Sequence, residues 1–177
     1  MNKHGANLIF DMKTPVGQSV HIRPITPQDA QIEWDFVHNL SAQSRYYRFL
    51  GGVRDLTPQM LEYFTTIDFT TSMALIALVK GEDNVEKEIA VGRFFVLPNQ
   101  VDCEFAIVVD DHWQGMGIGY QMMKMLIQDA KSKKLLQMNG EIFAQNKTML
   151  KIAQDLGFEI KSIPNDSSLK KVILKLT

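Results

Sequence analysis

Residues 108–119 read Val-Val-Asp-Asp-His-Trp-Gln-Gly-Met-Gly-Ile-Gly, and the rest of the predicted fold is arranged around them. An apolar strand end runs into a short polar turn, and three glycines at alternate positions then open a helix predicted over 117–133. The first N–H groups of a helix have no partner inside it, so they can bind an anion. Glycine suits such a turn because a side chain would hold the anion away from the backbone. The stretch therefore predicts a phosphate-binding turn between a strand and a helix.

Strands are predicted on both sides of this helix. The apolar runs 73–79, 89–97 and 101–109 have strand length, and the turn-like breaks between them favour sequential antiparallel pairing. Strand 136–144 follows the helix, so 101–109, 117–133 and 136–144 form one βαβ unit. The remaining predicted elements are strands 7–13, 19–25, 158–163 and 170–176 and helices 28–40, 42–50, 57–66 and 147–156.

These elements predict an α+β domain with a mixed, mostly antiparallel sheet, a central βαβ unit and flanking helices. Residues 19–177 would form the domain, and residues 1–18 would form an N-terminal extension that adds a strand. The edge of strand 7–13 is open to pairing with a second chain, so a homodimer is an alternative to a monomer.

The composition excludes several classes of protein. The chain has 177 residues, a formal net charge of −1, one cysteine and four histidines. This charge argues against a general nucleic-acid binder, and a single cysteine excludes an internal disulfide. The histidines lack the spacing of metal ligands, so no metal is expected. No apolar run approaches the roughly 20 residues of a membrane span, and no secretory signal is evident. We therefore expect a cytoplasmic protein.

Other glycine motifs fit residues 114–119 less well. A Walker phosphate loop ends in Gly-Lys-Ser/Thr, whereas Gly119 is followed by Tyr120. A dinucleotide loop would need its third glycine at position 120, although Glu141 lies at about the distance of a ribose-binding acid. A tight turn without a ligand is the structural alternative.

Several segments are similar to one enzyme family. The glycine turn resembles the acyl-CoA pyrophosphate loop of the GNAT superfamily, written Gln/Arg-x-x-Gly-x-Gly/Ala, and the similarity spans most of 19–176. Further segments resemble the GNAT domain of bacterial Pat-type protein lysine acetyltransferases, in many of which the domain follows an acyl-CoA-synthetase-like region. That region is not in this sequence, which is therefore a stand-alone relative or an excised domain. The segments are Gln114–Gly119, Asn146 with Gly157-Phe158, Arg23-Pro24-Ile25, Ser44–Phe49 and Glu104-Phe105-Ala106.

The resemblance implies a GNAT-like fold that binds acetyl-CoA as cosubstrate. Backbone amides of the turn would receive the pyrophosphate, and strand 107–109 would pair with the pantetheine arm as an added strand. A backbone N–H of Val108 or Val109 would stabilise the oxyanion. The implied cofactor-binding residues are Ile107, Val108, Val109, Gln114, Gly115, Met116, Gly117, Ile118, Gly119 and Asn146.

Glu104 is the candidate catalytic base. A lysine amine has a reference pKa of about 10.4, so it must lose a proton before it can attack a thioester. Glu104 lies between Cys103 and Phe105 on an apolar strand, which predicts desolvation and a raised pKa. Its place in Glu-Phe-Ala matches the glutamate that Pat-type enzymes use as base. The alternative is a solvent-facing residue or a partner for Arg93.

Other positions carry two interpretations each. Asn146 could bind the pantetheine arm or cap helix 147–156. Many GNAT members have a tyrosine acid where this chain has Ala153, which leaves the general acid unassigned. Arg45 and Arg48 share a helix face and could grip an acidic protein substrate or form a solvated surface. Asp110, Asp111 and His112 could act through water or shape the turn, and Cys103 fits a buried apolar role.

The predicted function is transfer of an acetyl group from acetyl-CoA to a primary amine by direct attack in a ternary complex. A protein lysine is the preferred acceptor because of the Pat-like segments. The alternatives are a small-molecule amine acceptor, a non-catalytic acyl-CoA sensor and a nucleotide-binding regulatory domain.

Overall fold

The computed structural model describes residues 4–52, 56–81 and 84–176, and these residues form a sheet flanked by helices. The helices are α1 (Ala30–Asn39), α2 (Ala42–Arg48), α3 (Pro58–Thr65), α4 (Ile118–Ser132) and α5 (Lys147–Asp155). The strands are β1 (Phe10–Lys13), β2 (Ser19–Pro24), β3 (Ser72–Lys80), β4 (Glu86–Val96), β5 (Asp102–Val109), β6 (Gln137–Phe143), β7 (Glu159–Ile163) and β8 (Asp166–Lys175).

The strands form one open sheet in the order β1-β2-β3-β4-β5-β6-β8-β7. All neighbours are antiparallel except β5 and β6, which run parallel and are joined by α4. This parallel pair requires a crossover, and α4 supplies it. The predicted α+β class, the antiparallel β3-β4-β5 order and the single βαβ unit are confirmed.

Helices cover both faces of the sheet, which explains why β3 reads as an unbroken apolar run. Met73, Leu75 and Ala77 pack with α4 on one face. Ala74 and Ile76 pack with α1 on the other. Helices α4 and α5 therefore lie on the opposite face of the sheet from α1. None of the helices in the described ranges is long and apolar enough to cross a membrane.

Strands β5 and β6 pair over only three residues. The register joins Asp102–Glu104 to Gln137–Asn139 and goes no further. From Phe105 onward β5 continues alongside β4 but has left β6. The sheet therefore splays open between β5 and β6, with the glycine turn at the far end of the gap.

The N-terminal extension differs from its predicted form. Strand 7–13 was expected, but the strand begins at Phe10, and His4–Asn7 form a 3₁₀ turn. Gly5 lies so close to Met73 and Asp129 that a Cβ there would meet their side chains at 3.1 and 3.2 Å. This close packing against the domain bends the segment before β1, which then adds an edge strand to β2.

Candidate active site

The glycine turn has backbone angles that favour glycine. Gly115 and Gly117 have φ of +75° and +84°, in the left-handed region that side chains disfavour. Gly117 occupies the N-cap position of α4, so the first N–H groups of that helix follow it directly. A Cβ at Gly115 would meet no atom within 4 Å, so the space over the turn is open. The turn can therefore receive an anion against its backbone.

Side chains fix this turn to its surroundings. Ser44 of α2 donates its hydroxyl to Asp111 at 2.9 Å. The Gln114 amide donates to the Val109 carbonyl at 3.1 Å. The Asp110 carboxylate accepts the His112 backbone N–H at 2.9 Å. Asp110 and Asp111 thus shape the turn, which was the structural alternative to a role acting through water.

A cavity of about 740 Å³ lies between the turn, β5, α2 and the start of α5. Met116 does not line it, because its side chain packs against the core beside α4. Tyr47, Arg48 and Tyr120 add to its wall. The predicted cofactor-binding residues on this wall are Ile107, Val108, Val109, Gln114, Gly115, Gly117, Ile118, Gly119 and Asn146.

The backbone N–H groups of Val108 and Val109 on β5 point in opposite directions. Hydrogen bonds between antiparallel strands alternate along each strand. Asp110 donates its N–H to the Ile89 carbonyl at 2.8 Å, so even-numbered residues of β5 face β4. Val101 instead accepts from Leu136 at 2.7 Å, on the β6 side. The N–H of Val109 therefore faces the splayed gap, and that of Val108 faces β4.

A second cavity, of about 400 Å³, adjoins the first and contains Glu104. Aromatic side chains form much of its wall, including Phe143 stacked on Tyr46 at 4.8 Å between ring centroids. The residues that line both cavities are Tyr47, Arg48, Ile107, Asn146 and Met149. The two cavities therefore share a wall, and a group in the first can meet a group in the second.

Glu104 lies in a different environment from the one its sequence neighbours predicted. Cys103 and Phe105 point into the core on the opposite face, whereas Glu104 is exposed to the cavity and to solvent. The predicted desolvation is therefore only partial. Partial burial still raises the pKa of Glu104, the negative charge of Glu141 raises it further, and Lys171 opposes both. Such a carboxylate is suited to accept a proton.

Arg93 does not pair with Glu104. It is fully buried and donates to Glu33 at 2.9 Å, with its guanidinium over the ring of Phe64. The alternative in which Arg93 neutralises Glu104 is therefore wrong.

The remaining candidates are also placed. Asn146 caps α5, since its side-chain oxygen accepts the Met149 N–H at 3.1 Å, and it also lines both cavities. Ala153 is buried and offers no acid. Cys103 is buried with a pKa raised to about 12 by burial and by nearby carboxylates, so it is not a nucleophile. Among the described ranges no group of three or more His, Cys, Asp or Glu side chains could hold a metal.

Sequence reasoning missed the role of Glu141 and Lys171 around Glu104. Glu141 follows Asn139 by two positions on β6, and Asn139 pairs with Glu104, so both carboxylates lie on one face. Lys171 is the cross-strand partner of Glu141 on β8. Strand alternation could have indicated Glu141, but its proximity to Glu104 depends on a register that the sequence does not specify.

Comparison with known proteins identifies relatives over most of the chain. The family described as "Acetyltransferase (GNAT) domain" matches residues 19–159. The protein named "Acetyltransferase PA5475" from Pseudomonas aeruginosa PAO1 is 34% identical over 152 residues, covering 86% of this chain and 81% of that protein. "Acetyltransferase Pat" from Mycolicibacterium smegmatis is 30% identical over 142 residues, covering 80% of this chain but 41% of that protein.

A solved structure has the same fold. The GNAT domain of S. lividans PAT superposes with a TM-score of 0.83, covering 94% of this chain and 96% of that one, at 23% identity. The splayed strands and the glycine turn thus belong to a fold seen in experimental structures.

Proposed function

Because this chain belongs to the GNAT acetyltransferase family, we propose that it transfers the acetyl group of acetyl-CoA to a primary amine, with Glu104 as the base. The observation that carries this proposal is the shared wall between the two cavities. One cavity ends at a helix N-terminus suited to a diphosphate, and the other contains a carboxylate with a raised pKa. Donor and acceptor would therefore meet beside Ile107 and Arg48.

The donor would lie along β5 with its diphosphate on the backbone of Gln114–Gly119. The N–H and C=O of Ile107 point into the splayed gap, so they can pair with the amide groups of the pantetheine arm. The N–H of Val109 points the same way, and it is our candidate for the donor to the developing oxyanion. Met116 would contribute its backbone alone, since its side chain packs against the core.

The chemistry needs no covalent enzyme intermediate. An acceptor that arrives as an ammonium ion transfers one proton to Glu104, and the free amine attacks the thioester carbon. The C–N bond forms, the C–S bond breaks, and the second nitrogen proton goes with the thiolate to give CoA. A CoA thiol has a pKa near that of cysteine, about 8.5, so the thiolate can leave without a strong acid. Glu104 then releases its proton to solvent.

A protein lysine is the acceptor that we favour. Support comes from the segments that resemble Pat-type domains and from the Pat relative, of which this chain spans about two fifths. A small-molecule amine would use the same chemistry, and an acyl-CoA sensor would need only the first cavity. Acetyl transfer from labelled acetyl-CoA to proteins, polyamines and amino acids separates these three.

We expect acetyl-CoA to stabilise the protein more than other nucleotides. At one hundred times its dissociation constant it should add about 2.7 kcal/mol of stability, which raises Tm by about 5–10 °C for a domain of this size. ATP and NADH should give smaller shifts, because neither carries a pantetheine arm for β5. Differential scanning fluorimetry measures this directly. A larger shift with ATP or NADH than with acetyl-CoA would contradict acyl-CoA binding.

The pH profile should respond to the charges around Glu104 in opposite directions. Glu104 acts as a base only when ionised, so kcat/KM rises with pH through its pKa. Glu141→Gln removes a charge that raises this pKa, so the acid limb should move to lower pH. Lys171→Gln removes a charge that lowers it, so the limb should move to higher pH.

Both side chains are exposed, and exposed charges contribute about 1 kcal/mol or less. The rate at optimum pH should therefore change by less than about fivefold. Movement of both limbs in the same direction would show that another group controls the profile.

A further inference from the structure

Arg48 of α2 packs against aromatic rings. Its guanidinium lies 4.9 Å above the ring of Phe49 and 6.0 Å from that of Phe64. Within residues 4–52, 56–81 and 84–176 it makes no hydrogen bond or ion pair. Arg45, one turn earlier on α2, instead donates to the His38 and Leu40 carbonyls at 2.8 and 3.2 Å. Arg45 thus stabilises the α1–α2 connection, and Arg48 remains available.

The surroundings of Arg48 do not neutralise it. Glu33 is the nearby carboxylate, but it is engaged by Arg93 at 2.9 Å. Burial and the like charge of Arg93 lower the pKa of Arg48 to about 9, so it is still protonated at neutral pH. Holding a half-buried cation without a counter-ion is unfavourable, because the lost hydration is not replaced. An anion delivered by a ligand would remove that penalty.

The position of Arg48 indicates which ligand would supply this anion. Arg48 lies on the wall that the two cavities share, so a molecule in the smaller one meets Arg48 as well as the Glu104 carboxylate. Of the two cavities, the glycine turn, where the donor diphosphate would bind, lines only the larger one, whereas Glu104 lines only the smaller one. Guanidinium groups bind carboxylate and phosphate by two parallel hydrogen bonds. A dipolar acceptor therefore matches the cavity better than a simple amine.

We propose that the acceptor carries an anionic group beside its reactive amine, and that Arg48 binds this group while Glu104 receives the amine. The inference rests on the proposed acetyl transfer and narrows its substrate class. The shared chemistry is an amine with a nearby carboxylate or phosphate. It could come from a small amino acid or from a lysine next to an acidic residue in a protein.

The test compares acceptors that differ by one anionic group. The small-molecule pair is 5-aminopentanoate and pentylamine, and the peptide pair has Glu or Gln beside one lysine. Wild type, Arg48→Gln, Arg48→Lys and the control Lys124→Gln are assayed by CoA release. Binding of each compound to the CoA complex is measured by calorimetry, which gives an affinity even for compounds that are not acetylated.

In wild type the anionic member of at least one pair should have kcat/KM, or affinity, at least tenfold above its neutral partner. Arg48→Gln should reduce this ratio to about one and leave KM for acetyl-CoA within twofold. Arg48→Lys should retain part of the preference, and Lys124→Gln all of it. The responding pair identifies the source of the anion.

Three results would overturn the inference. These are an equal loss for both members of a pair in Arg48→Gln, a rise confined to KM for acetyl-CoA, and no preference in wild type by either measurement. The second would place Arg48 in the donor site. Failure of acetyl-CoA itself to bind would instead reject the proposed function.

Discussion

Glu104→Gln should lower kcat for acetyl transfer by about 100- to 10,000-fold, the range that a positioned general base contributes. Glutamine keeps the size and hydrogen-bonding capacity of the side chain but cannot take a proton from the acceptor amine. The side chain is exposed on β5, so its replacement should leave the fold intact. Steady-state kinetics with saturating acetyl-CoA measures the loss. At high pH a larger fraction of the amine is already neutral, so the deficit should shrink as pH rises.

Two controls separate the loss of a base from other effects. Glu159→Gln removes an exposed carboxylate from β7, away from either cavity, and should keep wild-type kcat. Acetyl-CoA should raise Tm of Glu104→Gln as much as that of wild type, because the glycine turn is unchanged. A variant that binds acetyl-CoA and turns over at the wild-type rate would remove Glu104 from the mechanism. The sensor interpretation would gain support from a wild-type chain that binds acetyl-CoA and acetylates none of the tested amines.

Local patterns in the sequence were sufficient to predict most of the fold. Apolar runs of strand length located β3, β4 and β5. The helix predicted over 57–66 corresponds to α3, where the Thr57 side chain accepts the Met60 N–H at 3.2 Å as the cap. The expected extra strand was displaced to Phe10, because the preceding residues pack against Met73. That packing is a tertiary contact, and strand propensity carries no information about it.

The candidate site was predictable where backbone conformation governs it. Glycine at positions 115 and 117 permits the positive φ that the turn adopts, and the turn lies where the motif predicted it. To choose between the N–H groups of Val108 and Val109 as oxyanion donor, one must know which backbone groups of β5 bond to β4. The surroundings of Glu104 required the β5–β6 register, and its exposure differed from what its apolar neighbours suggested. Registers come from long-range pairing, so a single sequence does not fix them.

A buried charge network beneath α1 also depends on long-range pairing, and its disruption should give the largest loss of stability. Arg93, Glu33 and Glu88 are each only 1% exposed. Arg93 donates to Glu33 at 2.9 Å and to the Phe64 carbonyl at 3.0 Å. Arg93→Met would remove the cation that donates to Glu33 and leave this carboxylate buried without its hydrogen-bonded counter-ion. Breaking a buried pair in this way destabilises proteins by about 3–5 kcal/mol. Urea denaturation should show this as a lower midpoint.

Glu88→Gln should have the opposite effect, which makes it the matched control. Burial, the negative charge of Glu33 and a hydrogen bond with Glu33 raise the pKa of Glu88 well above its usual value, and Arg93 opposes this rise. A carboxyl with a raised folded-state pKa stabilises the protein below its unfolded pKa, and this stability is lost as pH rises through the folded value. Glu88→Gln removes that loss, so Tm at neutral pH should rise by a few degrees, with no gain near pH 4. A neutral Arg93→Met would show that the Arg93 cation does not stabilise the buried carboxylates. A destabilising Glu88→Gln would show that the Glu88 carboxyl itself stabilises the fold by hydrogen bonding.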